Sequence, residues 1–223
     1  MAELASRIEI EMLNMPVGKQ DQYASSFGGL NAYTFSPHGV EVQPLAMSPK
    51  AKRQLEQDLM LFFTGSSRQS SSILREQRQA SRSDSRVIES LHVIKRLALE
   101  TKERLEQGYV NEIGQLLHTN WQHKKNLASN VSNPFIDQCY DAALEAGALE
   151  GKITGAGGGG FLMLYCPRHQ QTGVTRALSE KGLRRMDFRF EKRGAEVLWQ
   201  TKWPASFRAN NGTSHGPRKS ISG

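Results

Sequence analysis

The chain has 223 residues, of which 29 are Lys or Arg, 22 are Asp or Glu and 38% are hydrophobic. That length suits one or two globular domains with a real core, and no apolar run reaches the roughly 18 residues that a membrane-spanning helix needs. The first residues lack a secretory signal pattern. Cys139 and Cys166 have neither the number for a disulfide framework nor zinc-site spacing. We therefore expect a cytoplasmic protein with two ordinary thiols and no membrane partner.

The net charge of +7 is unevenly distributed along the chain. Residues 201–223 contain four basic side chains and no acidic one, which leaves +3 on the remainder. A short basic tail is more often a solvated extension than a binding arm. We expect residues 201–223 to be a disordered basic tail, and we expect no nucleic-acid partner.

The first elements in the chain are a predicted helix and a predicted hairpin. Apolar residues recur near helical spacing from Leu4 to Leu13, and Pro16 is expected to end this helix. A polar stretch, 19–29, follows. Two strand-like segments, 30–35 and 40–45, flank a Ser-Pro-His-Gly turn and predict an antiparallel hairpin.

The rest of the chain mixes predicted strands with predicted helices. The apolar run 59–64 predicts a buried strand, and further strands are predicted over 152–154, 161–165, 186–190 and 195–198. Helical spacing predicts helices over 87–107, 109–128, 133–146 and 170–181. The Ser- and Arg-rich stretch 66–86 is interpreted as a partly helical surface connection. An RNA-binding tract is the alternative, but interleaved aromatic residues are missing.

Residues 155–160 form a loop of five glycines and one alanine: Gly155, Ala156, Gly157, Gly158, Gly159 and Gly160. A dinucleotide-binding loop would be followed by a helix, whereas the next segment predicts a strand. No Lys-Ser or Lys-Thr follows, so a P-loop is excluded as well. Bare glycines permit positive φ and close approach to backbone N–H groups. The loop therefore predicts close approach of a phosphate, a substrate or a neighbouring loop, with a plain turn as the alternative.

A carboxylate between two amides follows the first predicted helix, in the sequence Lys19, Gln20, Asp21 and Gln22. A carboxylate held by such neighbours can serve as a positioned general base. A helix-capping Asp is the alternative interpretation.

Together, these two stretches resemble the GHMP family of small-molecule kinases. Segment 18–22 is similar to the family segment that carries the catalytic Asp, and 152–160 is similar to the family's C-terminal glycine motif. Three further segments are similar to the D-glycero-D-manno-heptose 7-phosphate kinase branch: 63–68, 120–125 and 132–137. The resemblance runs from Met1 to about Leu198.

The resemblance implies an α+β fold. Residues 1–45 would be the end of a domain like ribosomal protein S5 domain 2, including the catalytic Asp segment. Residues 46–200 would be a ferredoxin-like GHMP kinase C-terminal domain. The mixed order of predicted strands and helices agrees with this class.

The resemblance also implies ATP-dependent phosphorylation of a heptose 7-phosphate, or a related sugar, at the anomeric hydroxyl. Asp21 would be the catalytic base, and Gln20 and Gln22 would orient it or contact the sugar. Lys19 would be either a substrate contact or a surface charge. Thr64, Ser67 and Arg68 would hold the sugar phosphate, since a guanidinium can pair with two phosphate oxygens; a solvated Arg68 is the alternative. The glycines of 155–160 would form the floor of the site. Lys124 and Lys125 are interpreted as helix-surface charges or substrate contacts, and Trp121 as a core residue.

The chain also departs from the family pattern. The family's strand-rich first segment and its Gly/Ser-rich phosphate loop, which supply most ATP and Mg²⁺ contacts, have no counterpart in the sequence. ATP and Mg²⁺ are thus the expected cofactors, with no metal ligand assigned in this chain. We expect the isolated chain to have little kinase activity and consider a separately encoded N-terminal half as a partner. A non-catalytic remnant or binding module is the alternative function.

Overall fold

Residues 1–65 and 70–196 are described by a computed structural model. Ser67, Arg68 and the basic tail lie outside the described residues. The first 45 residues, called the N-terminal region below, contain two helices and a hairpin. Helix α1 (Ala2–Arg7) continues into a π-helical turn (Ile8–Met12) and is followed by α2 (Gln20–Phe27) and the strands β1 (Asn31–Ser36) and β2 (Gly39–Pro44).

The structure confirms the predicted hairpin and adds a helix that was not predicted. β1 and β2 pair antiparallel in a two-stranded sheet, from Asn31 opposite Pro44 to Ser36 opposite Gly39. Helix α2 occupies the stretch that was described only as polar. Its two buried residues, Gln22 and Tyr23, are adjacent, so no long apolar pattern marks it.

The C-terminal domain, residues 46–196, is built on a four-stranded antiparallel sheet in the order β4-β5-β3-β6. The strands are β3 (Leu59–Phe63), β4 (Glu150–Ile153), β5 (Phe161–Tyr165) and β6 (Arg184–Met186). The predicted strand over 186–190 is wrong in position, because the pairing with β3 involves residues 184–186. The strand predicted over 195–198 is absent at 195–196, and 197–198 lie outside the described residues.

Six helices surround this sheet in the described residues: α3 (Pro49–Asp58), α4 (Ser70–Ala80), α5 (Ser85–Gln107), α6 (Ile113–Lys125), α7 (Pro134–Glu145) and α8 (Gln171–Glu180). Capping residues near the helix ends determine where several of these helices begin and end. The Asp84 carboxylate accepts hydrogen bonds from the first backbone N–H groups of α5, and Gly108 ends that helix in the left-handed region at φ 84°. Asn133 caps α7, which begins at Pro134. No described helix has the length and apolar character needed to cross a membrane.

Two hydrophobic clusters form the core of the C-terminal domain. The larger includes Phe62, Trp121 and Leu162 and joins the sheet to α6, α7 and α8. The smaller surrounds Leu55 and Tyr165 on α3 and β5. Trp121 is fully buried, which confirms it as a core residue. The two cysteines are free and buried.

Backbone contacts join the N-terminal region to residues 190–196. The Gly29 N–H donates to the Glu191 carbonyl at 2.7 Å, and the Ala195 N–H donates to the Ser26 carbonyl at 3.2 Å. Gly194 lies directly against the Ser26 carbonyl, where a side chain would overlap it. The end of the C-terminal domain therefore holds α2 in place.

Candidate functional site

A cleft of about 480 Å³ lies between the start of α2 and the glycine loop. Gly18, Gln20 and Asp21 line it on the α2 side. The C-terminal domain contributes Asn120, Lys124, Lys152, Gly155 and Ala156, with apolar side chains from α4 and α5. The two stretches singled out in the sequence therefore meet in one cleft, where Gly155 and Ala156 line it and the other four glycines of the loop do not.

Asp21 lies in the first turn of α2 with its side chain exposed. Lys19 is the N-cap residue and no side chain caps this helix end, so the interpretation of Asp21 as a capping residue does not fit the geometry. Within the described ranges, its carboxylate has no hydrogen bond or ion pair. Its backbone carbonyl accepts a hydrogen bond from Ser25 Oγ at 2.7 Å. Asp21 therefore presents an unpaired carboxylate to the cleft.

Lys19 and Gln22 do not line the cleft, because both contact the first helical segment instead. Lys19 Nζ pairs with Glu3 Oε1 at 2.7 Å, and Gln22 Nε2 donates to Glu9 Oε2 at 2.9 Å. The hydrogen bond to Glu3 raises the pKa of Lys19, and the same bond lowers the pKa of Glu3. Tyr23 completes this set by donating to Glu3 Oε2 at 2.7 Å. These side chains hold α2 against α1.

The glycine loop is packed against a neighbouring loop on one side and open on the other. All five of its glycines have positive φ, from 68° at Gly155 to 153° at Gly159. A Cβ at Gly157 would lie 2.7 Å from the Val131 carbonyl oxygen, and the Gly158 N–H donates to that same oxygen at 2.8 Å. A Cβ at Gly155 would meet nothing within 4 Å. The loop is thus more than a plain turn, since Gly157 allows close backbone packing.

Thr64 fastens the glycine loop to the end of β3. Its N–H and Oγ1 both donate to the Gly160 carbonyl, at 2.9 Å and 3.1 Å, and the residue is buried. The position of Thr64 is therefore explained by its contact with the loop. Its predicted partners in phosphate binding, Ser67 and Arg68, lie outside the described residues.

Two lysines, Lys124 and Lys152, line the cleft. The sequence analysis left Lys124 open between a helix-surface charge and a substrate contact and gave Lys152 no role. Lys124 Nζ donates to the carbonyls of Ile153, at 3.2 Å, and of Gly155. Lys152 Nζ donates to Asn120 Oδ1 at 3.1 Å. Burial, together with the nearby Lys152 charge, lowers the pKa of Lys124 to about 7, and burial also lowers the pKa of Lys152. The sequence signal that favours Lys124 is its spacing from Asn120, which places both residues on one face of α6.

Residues 101–183 match the family described as GHMP kinases C terminal. The D-glycero-alpha-D-manno-heptose 7-phosphate kinase of Campylobacter jejuni is 34% identical over 88% of this chain and 58% of its own length.

Two crystal structures have the same fold. A D-glycero-D-manno-heptose 1-phosphate kinase from Bacteroides thetaiotaomicron superposes with a TM-score of 0.64 at 32% identity, over 86% of this chain and 52% of its own. A Campylobacter jejuni protein superposes with a TM-score of 0.65 at 33% identity, over 86% and 55%. The chain spans a little over half the length of these relatives. These matches confirm the α+β fold and show that the chain carries a GHMP kinase C-terminal domain.

Proposed function

We propose that the chain acts in an ATP-dependent sugar kinase that phosphorylates the anomeric hydroxyl of a heptose 7-phosphate or a related sugar. The observation that carries this proposal is the cleft in which the Asp21 carboxylate and the glycine loop meet. The names of the relatives support a heptose phosphate as substrate. Because the chain spans 58% of the Campylobacter jejuni relative, the reaction is proposed for a protein that also contains the remaining kinase portion, covalently joined or as a separate chain.

Asp21 has the chemistry required of the base. An exposed, unpaired carboxylate can accept or orient the proton of an attacking hydroxyl, provided that the hydroxyl lies within hydrogen-bond reach. Gln20 lines the same cleft and can hydrogen-bond to a sugar hydroxyl. Lys19 and Gln22 contribute indirectly, by fixing α2 and so the position of Asp21.

The residues of the cleft fit an anionic cosubstrate. ATP supplies the transferred phosphoryl group, and catalysis of such a transfer depends mainly on positioning and charge stabilisation. Lys124 and Lys152 offer ammonium donors, while Gly155 leaves open space beside the Lys124 contact. Mg²⁺ is usually held by one or two carboxylates together with substrate phosphates. Of the acidic residues in the described ranges only Asp21 lines this cleft, and no described cluster of three or more His, Cys, Asp or Glu could hold a metal.

A chimera tests the proposed function. The chain would be joined to the N-terminal portion of the Campylobacter jejuni relative, and ATP-dependent phosphorylation of heptose 7-phosphate would be measured. Asp21→Asn should lower kcat by roughly 10²- to 10⁴-fold with a smaller change in KM, because the change removes the proton acceptor but keeps its size. Glu11→Gln is the control, since Glu11 is an exposed carboxylate away from the cleft.

Two outcomes would contradict the proposal. A fall in kcat of less than about fivefold for Asp21→Asn would remove Asp21 as the base. An intact chimera that phosphorylates no sugar would favour the alternative, a non-catalytic binding module. The isolated chain is expected to be nearly inactive, and turnover of about 1 per second or more by that chain alone would show that no further portion is needed.

A further inference from the structure

We propose that Lys124 and Lys152 form a phosphate-binding subsite in the cleft. Its ligand is the phosphate group of the sugar substrate or of the nucleotide, a choice that rests on the proposed function. The subsite uses other residues than the predicted Thr64, Ser67 and Arg68, of which Ser67 and Arg68 lie outside the described residues. It is carried by α6 and β4, two elements that pack directly against each other.

The donor count favours an additional ligand. An ammonium group has three N–H donors and no acceptor. Lys124 uses two donors on the carbonyls of Ile153 and Gly155, and Lys152 uses one on Asn120 Oδ1. In the described part of the chain, these are the hydrogen bonds of both side chains. Three N–H donors therefore remain for a group that enters the cleft.

The charge balance favours an anion as that ligand. Each of the partners named above is a neutral oxygen, and neither lysine belongs to an ion pair among residues 1–65 and 70–196. Placing two like charges together in a partly buried site is unfavourable unless an opposite charge compensates them. Burial and the Lys152 charge lower the pKa of Lys124 to about 7. This lowering is expected where no negative charge lies beside the two lysines. A phosphate group would supply such a charge.

Hydrogen bonds within the protein already hold both lysine side chains in position for a ligand. The contacts to Ile153 and Gly155 fix the Lys124 ammonium at the start of the glycine loop. Asn120 lies one turn earlier on α6 and holds Lys152 from the same helix face. At Gly155 the backbone has no side chain and faces open space, which leaves room for phosphate oxygens.

Binding to the full chain tests this subsite without requiring catalysis. Calorimetric titrations would use inorganic phosphate, heptose 7-phosphate, metal-free ATP and unphosphorylated heptose as separate probes. Lys124→Met and Lys152→Met should each weaken binding of a phosphate-bearing probe at least tenfold, because each removes a charged donor. Lys125→Met is the matched control, because the neighbouring Lys125 does not line the cleft and pairs with Asp137 at 3.8 Å.

Each outcome has a defined meaning. Lysine-dependent binding of heptose 7-phosphate alone assigns the subsite to the sugar phosphate, and lysine-dependent binding of ATP alone assigns it to the nucleotide. Equal binding by wild type and both Met variants, or no binding of any phosphate-bearing probe by the wild type, would overturn the proposal. Circular dichroism would verify folding, and Lys152→Arg, which keeps the charge, should retain binding if Lys152→Met is unstable. Lysine-dependent binding by an inactive chimera would contradict the kinase proposal but leave the subsite intact.

Discussion

The N-terminal region and the C-terminal domain are stabilised in different ways. The C-terminal domain buries two hydrophobic clusters around its sheet. In the N-terminal region, by contrast, many large apolar side chains are exposed: Met1, Leu4, Ile8, Met12, Leu13, Met15, Phe27 and Phe35. Polar contacts among α1, the π-helical turn and α2 hold this region, together with ring contacts between α2 and the hairpin and backbone contacts to residues 190–196. The proposed base, Asp21, thus lies on the less stabilised of the two regions.

The largest expected difference between the regions concerns core aromatic residues. Phe62→Ala should lower the free energy of unfolding by about 3–5 kcal/mol, because the ring is fully buried and its removal leaves a cavity. Phe35→Ala should cost much less, about 1 kcal/mol, since Phe35 is 45% exposed and its ring contacts are with Tyr23 and Tyr33. Urea denaturation followed by circular dichroism measures both. Equal losses would show that the N-terminal region has a core of its own.

The next effect concerns the contact that joins the two regions. Gly194→Ala should displace residues 190–196 from α2, because the new Cβ would overlap the Ser26 carbonyl. Such overpacking costs roughly 1–3 kcal/mol. Hydrogen exchange should become at least tenfold faster in 20–29 and stay unchanged in β3 and β5. Gly18→Ala is the control, as its Cβ would meet nothing within 4 Å. Equally faster hydrogen exchange in 20–29 and in β3 and β5 would contradict the prediction that the two regions open separately.

The last comparison concerns one lysine from each region and depends on pH. Lys124 has a folded pKa of about 7 against an ordinary value of 10.5, so the folded state binds fewer protons and wild-type stability rises between these pH values. Lys124→Met should therefore be stabilising relative to wild type, most strongly below pH 7, and the gain should vanish towards pH 10.5.

Lys19 should behave in the opposite way. Its hydrogen bond with Glu3 raises its pKa, so the contribution of Lys19 is present at neutral pH and is lost as pH rises through the folded pKa. Lys19→Met should therefore be slightly destabilising at pH 7. Thermal unfolding of both variants, from pH 6 to above the ordinary lysine pKa of 10.5, measures the two slopes. Slopes of the same sign would show that the two lysines do not differ in environment.

Residues with strong local patterns could be predicted from the sequence. Three elements are recognised from residues that lie close together in the sequence. They are the hairpin with its turn residues, β3 with its apolar run and the capped helix α7. Helix α2 was missed because its stability comes from contacts with Glu3 and Glu9, which lie far from it in sequence. β6 was misplaced because strand position depends on pairing with β3, a non-local contact.

Prediction of the candidate site had the same limit, because non-local contacts could not be inferred from the sequence. The sequence singled out Asp21 and the glycine loop, and the structure brings them to one cleft. Lys124 could equally be a surface charge on an isolated α6, and only packing against β4 turns it towards Ile153 and Gly155. Conversely, Lys19 and Gln22 lie within two positions of Asp21 in sequence, yet helical geometry directs them to α1 and the π-helical turn.

The two buried cysteines give the C-terminal domain an internal reporter of opening. Cys139 lies on α7 and Cys166 directly after β5, and the N-terminal region has no cysteine. Burial raises the pKa of both thiols, that of Cys166 to about 11. Since the thiolate is the reactive form, alkylation should require exposure of the core. The rate of thiol alkylation therefore measures opening of the C-terminal domain separately from any motion of the region that carries Asp21.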